Sequence, residues 1–220
     1  MNESNEVIDQ RISLVNCAQQ LLDLGLNKGA SGNCSSRNDE GFLITPTGIP
    51  TDQLLSEQMV QMDMEGKVIG AGSPSSEWRF HRDIYLARPE IQAIIHTHSS
   101  YATAFSCLRT DLPPFHYMIA MAGGDTIRCA PYATFGSQGL SDNVVQSLQG
   151  RLACLMANHG VIAVGGNLQQ ALALAIEVES LCQQYLIVNQ LGKPILLTQV
   201  EMTQVTEKFK GYGPFRNPES

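Results

Sequence analysis

Residues 91–100 read IQAIIHTHSS. A run of isoleucine and alanine suited to a sheet interior ends in two histidines separated by one threonine. On a strand, successive side chains point to opposite faces, so His96 and His98 fall on one side, roughly 6–7 Å apart along the chain. At that spacing two imidazoles can hold one metal ion. A second apolar run, in LMANHGVIAVGG (155–166), also stops at a histidine and a glycine. Three of the five histidines, His96, His98 and His159, therefore sit at strand ends.

Working outward, the pattern alternates between helix and strand. From Glu6 to Leu26 the apolar positions Ile8, Ile12, Val15, Ala18, Leu22 and Leu26 recur every three or four residues, as on one stripe of a helix. NKGASGNCSSR (27–37) reads as a loop, and GFLITPTG (41–48) as a short strand ending in a turn at Pro46 and Gly48. A helix is expected near Ser56–Asp63, a strand near Lys67–Gly70, a helix over Ser75–Ala87 and the strand Ile91–His98. Beyond Ser99 come a helix, a strand near Thr126–Pro131, and a helix over Leu140–Gln149 capped by Ser141 or Asp142. Leu152–Val164 reads as two strands around a tight turn at NHG. A long helix follows, with Asn167 at its start and Gly192 at its end, and a last helix over Val200–Lys210 leads into the tail GYGPFRNPES. No repeat, linker or low-complexity segment interrupts this order, so the expectation is a single α/β domain over residues 1–220, helices covering a sheet, with a flexible tail after about residue 212.

The bulk composition excludes several classes of function. The chain has 220 residues, 43% hydrophobic, with 14 Lys+Arg against 21 Asp+Glu, a net charge of -7. No long basic run appears, which argues against a nucleic-acid partner and against a polybasic membrane patch. An anionic ligand must then be held by local donors. The N-terminus, MNESNEVIDQ, is polar and acidic where a secretory signal needs a basic and then an apolar stretch, and no apolar run is read as a membrane span. A cytoplasmic protein is expected. The six cysteines are scattered without a C-x-x-C pair, which points to neither a zinc ribbon nor a disulfide framework.

Neutral imidazoles are good zinc ligands, and three of them leave a fourth position open, the mark of a catalytic rather than a structural site. SSEWRFHRDIYLARPE (75–90) offers an oxygen for it in Glu77, behind Ser75 and Ser76 at a helix start; the competing local reading is a charge complementing the helix dipole. His81, one turn on, reads as a structural histidine. For an anion, SGNCS (31–35) and TPTGIP (45–50) supply backbone N–H groups with the Asn33 and Thr47 side chains, and Ser75 and Ser76 sit at a helix N-terminus suited to phosphate. Each of these loops also serves simply to turn the chain.

GNCS, LITPTGIP, SSEWRFH, the strand ending HTH, HYMIAMAGG, CAPYATFG and NHG before a long helix resemble, in order and spacing, the class II aldolase/adducin family over about residues 8–212. The resemblance implies a largely antiparallel sheet with helices on both faces, and a homotetramer with active sites between subunits. It implies Zn2+ on His96, His98 and His159, with Glu77 as a fourth ligand that can leave the metal and act as catalytic acid/base. It places the substrate phosphate on Asn33, Thr47, Gly48, Ser75 and Ser76, with Gly32 shaping the loop. Tyr117 would reach the neighbouring subunit's site and protonate the aldehyde oxygen, and Phe135 and Tyr212 would enclose the aldehyde. The implied activity is reversible cleavage of a ketose 1-phosphate, foremost L-fuculose 1-phosphate, to dihydroxyacetone phosphate and L-lactaldehyde. Other family members are pentulose-phosphate 4-epimerases, a methylthioribulose-1-phosphate dehydratase and a non-catalytic adducin-like scaffold that lacks the histidines.

Overall fold

The central strand at Ala93–Thr97 is flanked by partners drawn from both halves of the chain, which puts the H-x-H segment in the middle of the sheet. The computed structural model describes residues 5–209. The strands are β1 (Asn33–Asn38), β2 (Gly41–Ile44), β3 (Val60–Met62), β4 (Val68–Ile69), β5 (Ala93–Thr97), β6 (Arg128–Ala130), β7 (Ala153–Met156) and β8 (Gly160–Gly165). They form one open sheet in the order β4-β3-β2-β1-β5-β8-β7-β6. Every neighbouring pair is antiparallel except β6 with β7.

The helices are α1 (Asn5–Asp23), α2 (Trp78–Ala87), α3 (Ser100–Ser106), α4 (Gln138–Ser147), α5 (Leu168–Leu191) and α6 (Gln199–Phe209). They cover both faces, because the middle strands carry apolar residues on both sides. Ile95, Leu155 and Val161 pack with Leu14 of α1, Phe105 of α3, Val178 of α5 and Met202 of α6. Their strand neighbours Ile94, Cys154 and Ile162 pack on the opposite face with Phe80 and Ile84 of α2 and Val144 of α4. Burying each such side chain contributes about 1.5–3 kcal/mol, so two full cores hold the sheet rigid where it carries the histidines.

The ends of α5 fall where the sequence puts them. Asn167 accepts the Gln170 N–H at 2.8 Å, and Gly192 follows the last turn. By length and composition alone α5 is apolar enough to cross a membrane, contrary to the sequence reading; in the fold its Ala171, Leu174, Val178 and Leu181 are buried in the core.

Three local readings need correction. Residues 33–37, read as part of a loop, belong to the strand β1 between β2 and β5. Its NCSSRN sequence has no apolar alternation, and the pairing on both edges decides its state. The helix expected near Ser56–Asp63 is a 3-10 turn over Ser56–Gln58 followed by β3, because Val60 and Met62 pair into the sheet beside β2. Helix α4 starts earlier than expected, with Ser137 accepting the Leu140 N–H at 3.2 Å, while Ser141 turns its hydroxyl to Asp83. Lys210 and the tail, Tyr212 included, lie outside the described residues.

Candidate active site

His96 is the last residue but one of β5, His98 follows the strand, and His159 sits in the turn between β7 and β8, so neighbouring strands of the sheet bring three rings together. The turn places His159 through Asn158, which adopts a left-handed conformation at φ 55. Gly160 admits the close approach: a Cβ there would lie 2.3 Å from the Thr97 carbonyl oxygen and 3.2 Å from the His96 ring. Asn27 Oδ1 accepts the His98 backbone N–H at 3.0 Å, and Gly32, at φ +72, leaves room for the Asn27 side chain. Sequence reasoning passed over Asn27 and Gly160, since nothing local tells an anchoring residue from an ordinary loop residue.

Glu77 arrives from the other side. Thr47 N–H bonds Ser73 O, and Ser75 N–H bonds Thr45 O, which docks the segment before α2 beside the TPTG turn. Glu77 stands at the N-cap position of α2 without a side-chain capping bond, its own N–H bonds Ser75 Oγ at 3.3 Å, and its side chain turns inward. Glu77 Oε2 lies 3.1 Å from His96 Nε2, and Oε1 lies 3.2 Å from His159 Nε2. Asn33 donates from Nδ2 to Oε2 at 3.1 Å. One ligand atom from each of Glu77, His96, His98 and His159 falls within 4.8 Å of all the others.

The proton inventory of this cluster fits a cation. His96 Nδ1 lies 3.0 Å from the Val161 carbonyl, which only accepts, so Nδ1–H is held there and Nε2 is the ring nitrogen turned inward. Nε2 faces His98 Nε2 at 2.9 Å and the Glu77 carboxylate. Glu77 Oε1 is buried and has no hydrogen-bond partner among the described residues. A divalent ion satisfies all four groups at once, and three nitrogens with one displaceable oxygen make the donor set of an open catalytic site.

Electrostatics keep the ligands in binding form. Burial, with neighbouring His96, lowers His98 and His159 to about 4, so both rings are neutral near pH 7. Burial pushes the Glu77 carboxyl up, but His96, His159 and the Asn33 amide outweigh it and bring it down to about 2. The carboxylate is therefore ionised. His81, the fifth member of the neighbourhood, is fully buried and bonds Ser35 and Asn33, in keeping with its structural reading.

An open cleft of about 350 Å³ runs from the histidines to the loops. Gly32, Asn33, Thr47, Gly48, Ser75 and Ser76 line it together with Glu77, His98 and His159, so the structure gathers the residues expected to bind phosphate and all those expected to bind metal, except the fully buried His96, around one space. Among the described residues no lysine or arginine lines this cleft, so the donors they offer an anion there are neutral N–H and hydroxyl groups. Phe135, 66% exposed, and Tyr132 form its apolar end. Tyr117, 50% exposed on a 3-10 turn over Tyr117–Ala122, is not among the lining residues of its own chain's cleft.

Comparison with known proteins gives this geometry a context. The family profile described as Class II Aldolase and Adducin N-terminal domain matches residues 12–186. The 5-methylthioribulose-1-phosphate/5-deoxyribulose-1-phosphate aldolase of Rhodospirillum rubrum is 48% identical over 203 residues, 92% of each chain. The L-fuculose phosphate aldolase of Escherichia coli K12 is 46% identical over 201 residues, 91% of this chain and 94% of that one. A solved structure of an L-fuculose 1-phosphate aldolase superposes with a TM-score of 0.89 at 40% identity, covering 94% of this chain and 98% of that chain. On the matched length, the shared sheet and the Glu77, His96, His98, His159 cluster, the chain belongs to the class II aldolase and adducin family, as one of its aldolases.

Proposed function

We propose that the chain is a zinc-dependent, cytoplasmic aldolase that reversibly cleaves a ketose 1-phosphate into dihydroxyacetone phosphate and a short aldehyde, with L-fuculose 1-phosphate as substrate and L-lactaldehyde as the released aldehyde. The observation that carries this reading is the clustering of Glu77 with the three histidines at a cleft lined by Glu77, His98 and His159 together with Asn33, Thr47, Gly48, Ser75 and Ser76, with His96 buried behind them. His96, His98 and His159 would hold the metal, with Glu77 as a displaceable fourth ligand. The chemistry supplied by the bound ion is Lewis-acid stabilisation of the negative charge that C–C cleavage leaves beside the ketone.

The remaining work falls to the chain's own groups. The phosphate is gripped by neutral N–H and hydroxyl donors near the start of α2, and that binding, remote from the breaking bond, holds the ketone in register with the histidines. Glu77 exchanges a proton with the substrate carbon next to the ketone. Released from His96 and Asn33 into a partly dry cleft, its carboxyl rises toward neutral pH, where it can both give and take a proton. Tyr117 of a neighbouring subunit exchanges the second proton, at the aldehyde oxygen, in a homotetramer with sites between subunits. Phe135, with Tyr212 from the tail, encloses the aldehyde.

The 48% identical relative favours a second substrate, 5-deoxyribulose 1-phosphate or its 5-methylthio analogue. All three sugars share the phosphate-bearing half and end in an apolar group, which suits a cleft closed by Tyr132, Ala133 and Phe135. A coupled assay for dihydroxyacetone phosphate on the zinc-loaded protein separates the readings. Release from L-fuculose 1-phosphate in excess of 5-deoxyribulose 1-phosphate supports the first, and the reverse order the second. Epimerisation of L-ribulose 5-phosphate without dihydroxyacetone phosphate release from either 1-phosphate overturns both.

A further inference from the structure

We propose that His81 is a positioning residue for Glu77, acting through Asn33 as part of a buried hydrogen-bond chain that runs from Tyr85 through Ser35 to the carboxylate. This rests on the reading of Glu77 as the acid/base.

The direction of every bond in the chain follows from one fact. An ionised carboxylate only accepts, so the Asn33 group facing Glu77 Oε2 at 3.1 Å must be its NH2. Asn33 Oδ1 then points the other way, at His81 Nε2, 2.5 Å away, and that nitrogen must carry the ring proton. The other ring nitrogen, Nδ1, is bare in the neutral ring and accepts from Ser35 Oγ at 2.7 Å. Having spent its proton on His81, the Ser35 hydroxyl accepts from Tyr85 OH at 2.8 Å. The acceptor-only character of one carboxylate thus sets the polarity of four groups behind it.

The chain is built to keep that polarity. Ser35 and His81 are completely buried and Tyr85 nearly so, which closes the network to water that could offer alternative partners. His81 stacks on Phe80, whose own ring meets His96 edge-on, so the two imidazoles on either side of Glu77 are held by one aromatic side chain. Arg37 lies over the Tyr85 ring, with its centre 4.7 Å from the ring centroid, and fixes the far end. Burial keeps His81 neutral, lowered to about 3, so the ring does not become a donor at both nitrogens near pH 7. A doubly protonated His81 would strip Ser35 of its acceptor. Without the His81 proton, the Asn33 amide is free to flip its oxygen toward Glu77, repelling the carboxylate instead of orienting it.

Two independent readouts test this. The first is the ring tautomer in metal-free protein carrying 15N-histidine, read by long-range 1H–15N correlation at pH 7, which needs neither substrate nor variant. The expected signature is a protonated Nε2 and a bare Nδ1 on His81; an Nδ1-protonated or doubly protonated ring overturns the proposal. The second is the pair His81→Gln, which keeps a donor where Nε2 stood, and His81→Phe, which keeps the ring volume without one. Cleavage of L-fuculose 1-phosphate or 5-deoxyribulose 1-phosphate, whichever the wild type turns over, should lose about 10- to 100-fold in kcat in His81→Phe at unchanged zinc content, with His81→Gln recovering most of it. Equal losses in the two variants, or none in either, sink the positioning role; if His81→Phe does not fold, His81→Gln and the tautomer decide. Glu77→Gln, assayed alongside, keeps the two readings apart. Wild-type turnover in Glu77→Gln refutes the acid/base reading itself, whereas its collapse beside an unaffected His81→Phe refutes only this inference.

Discussion

Asn33 and His96 are register partners across the β1–β5 ladder, and both side chains reach the same carboxylate oxygen of Glu77, each at 3.1 Å. A neutral donor and a prospective metal ligand therefore approach Glu77 from adjacent strands, the arrangement that the proposed function calls for in a carboxylate that is a ligand when the cleft is empty and a proton carrier when a substrate displaces it.

This division predicts the behaviour of Glu77→Gln. Three imidazoles remain to hold the ion, while the group that exchanges the proton is gone. The kcat for aldol cleavage should fall by about 100-fold or more, with zinc content close to one ion per chain. Metal analysis and the coupled assay on one preparation check both halves, and parallel loss of metal and turnover would assign Glu77 to metal binding alone.

Removing the metal should soften the fold. An ion that binds only the native chain at 100 times its dissociation constant adds about 2.7 kcal/mol, which for a chain of this size shifts the melting temperature by about 5–10 °C. Chelated protein should melt lower by that margin and recover on adding zinc. His98→Ala and His159→Ala should lose the zinc-dependent increment, since each leaves only two imidazoles.

Gly160→Ala should destabilise the protein by about 1–3 kcal/mol through overpacking, because its Cβ would lie 2.3 Å from the Thr97 carbonyl oxygen. The added methyl also crowds the His96 and His98 rings, at 3.2 and 3.3 Å. Urea unfolding of the metal-free protein measures the first effect, and zinc titration of the folded variant, expected to weaken, measures the second.

The pH dependence has a definite sign. His81 is lowered to about 3 by burial, from an ordinary value of 6.5. Between those values the unfolded chain binds a proton on this ring that the folded chain refuses, so stability is complete above about pH 6.5 and is lost as pH falls toward 3. From pH 7 to pH 5 this one ring removes about 2 kcal/mol. His98 and His159, also lowered, act in the same direction in metal-free protein. Urea titrations of the metal-free protein at the two pH values should show the drop, and His81→Gln should remove the His81 share of it while leaving that of His98 and His159.

The sequence made the three histidines legible because they sit where short continuous apolar runs stop, AII before HTH and the segments on either side of NHG, each bounded by turn residues. The helix caps Asn167 and Gly192 were equally readable from local chemistry. β1 was not: NCSSRN is polar, and its state is fixed by β2 and β5, which pair with it from far along the chain. The same holds for β3, where a run as short as Met59–Met62 fits a helix turn as well as a strand until β2 is beside it. His81 could be recognised as structural, but its partners Ser35 and Asn33 lie 46 and 48 residues before it, and only the fold brings the three together.

X-ray absorption at the zinc edge on the purified, zinc-reconstituted protein tests the central claim most directly. The account predicts one ion per chain with three imidazole nitrogens at about 2.0–2.1 Å and one oxygen, and loss of one nitrogen shell in His98→Ala. Zinc surrounded by water oxygens alone, with the same spectrum from wild type and His98→Ala, would contradict it.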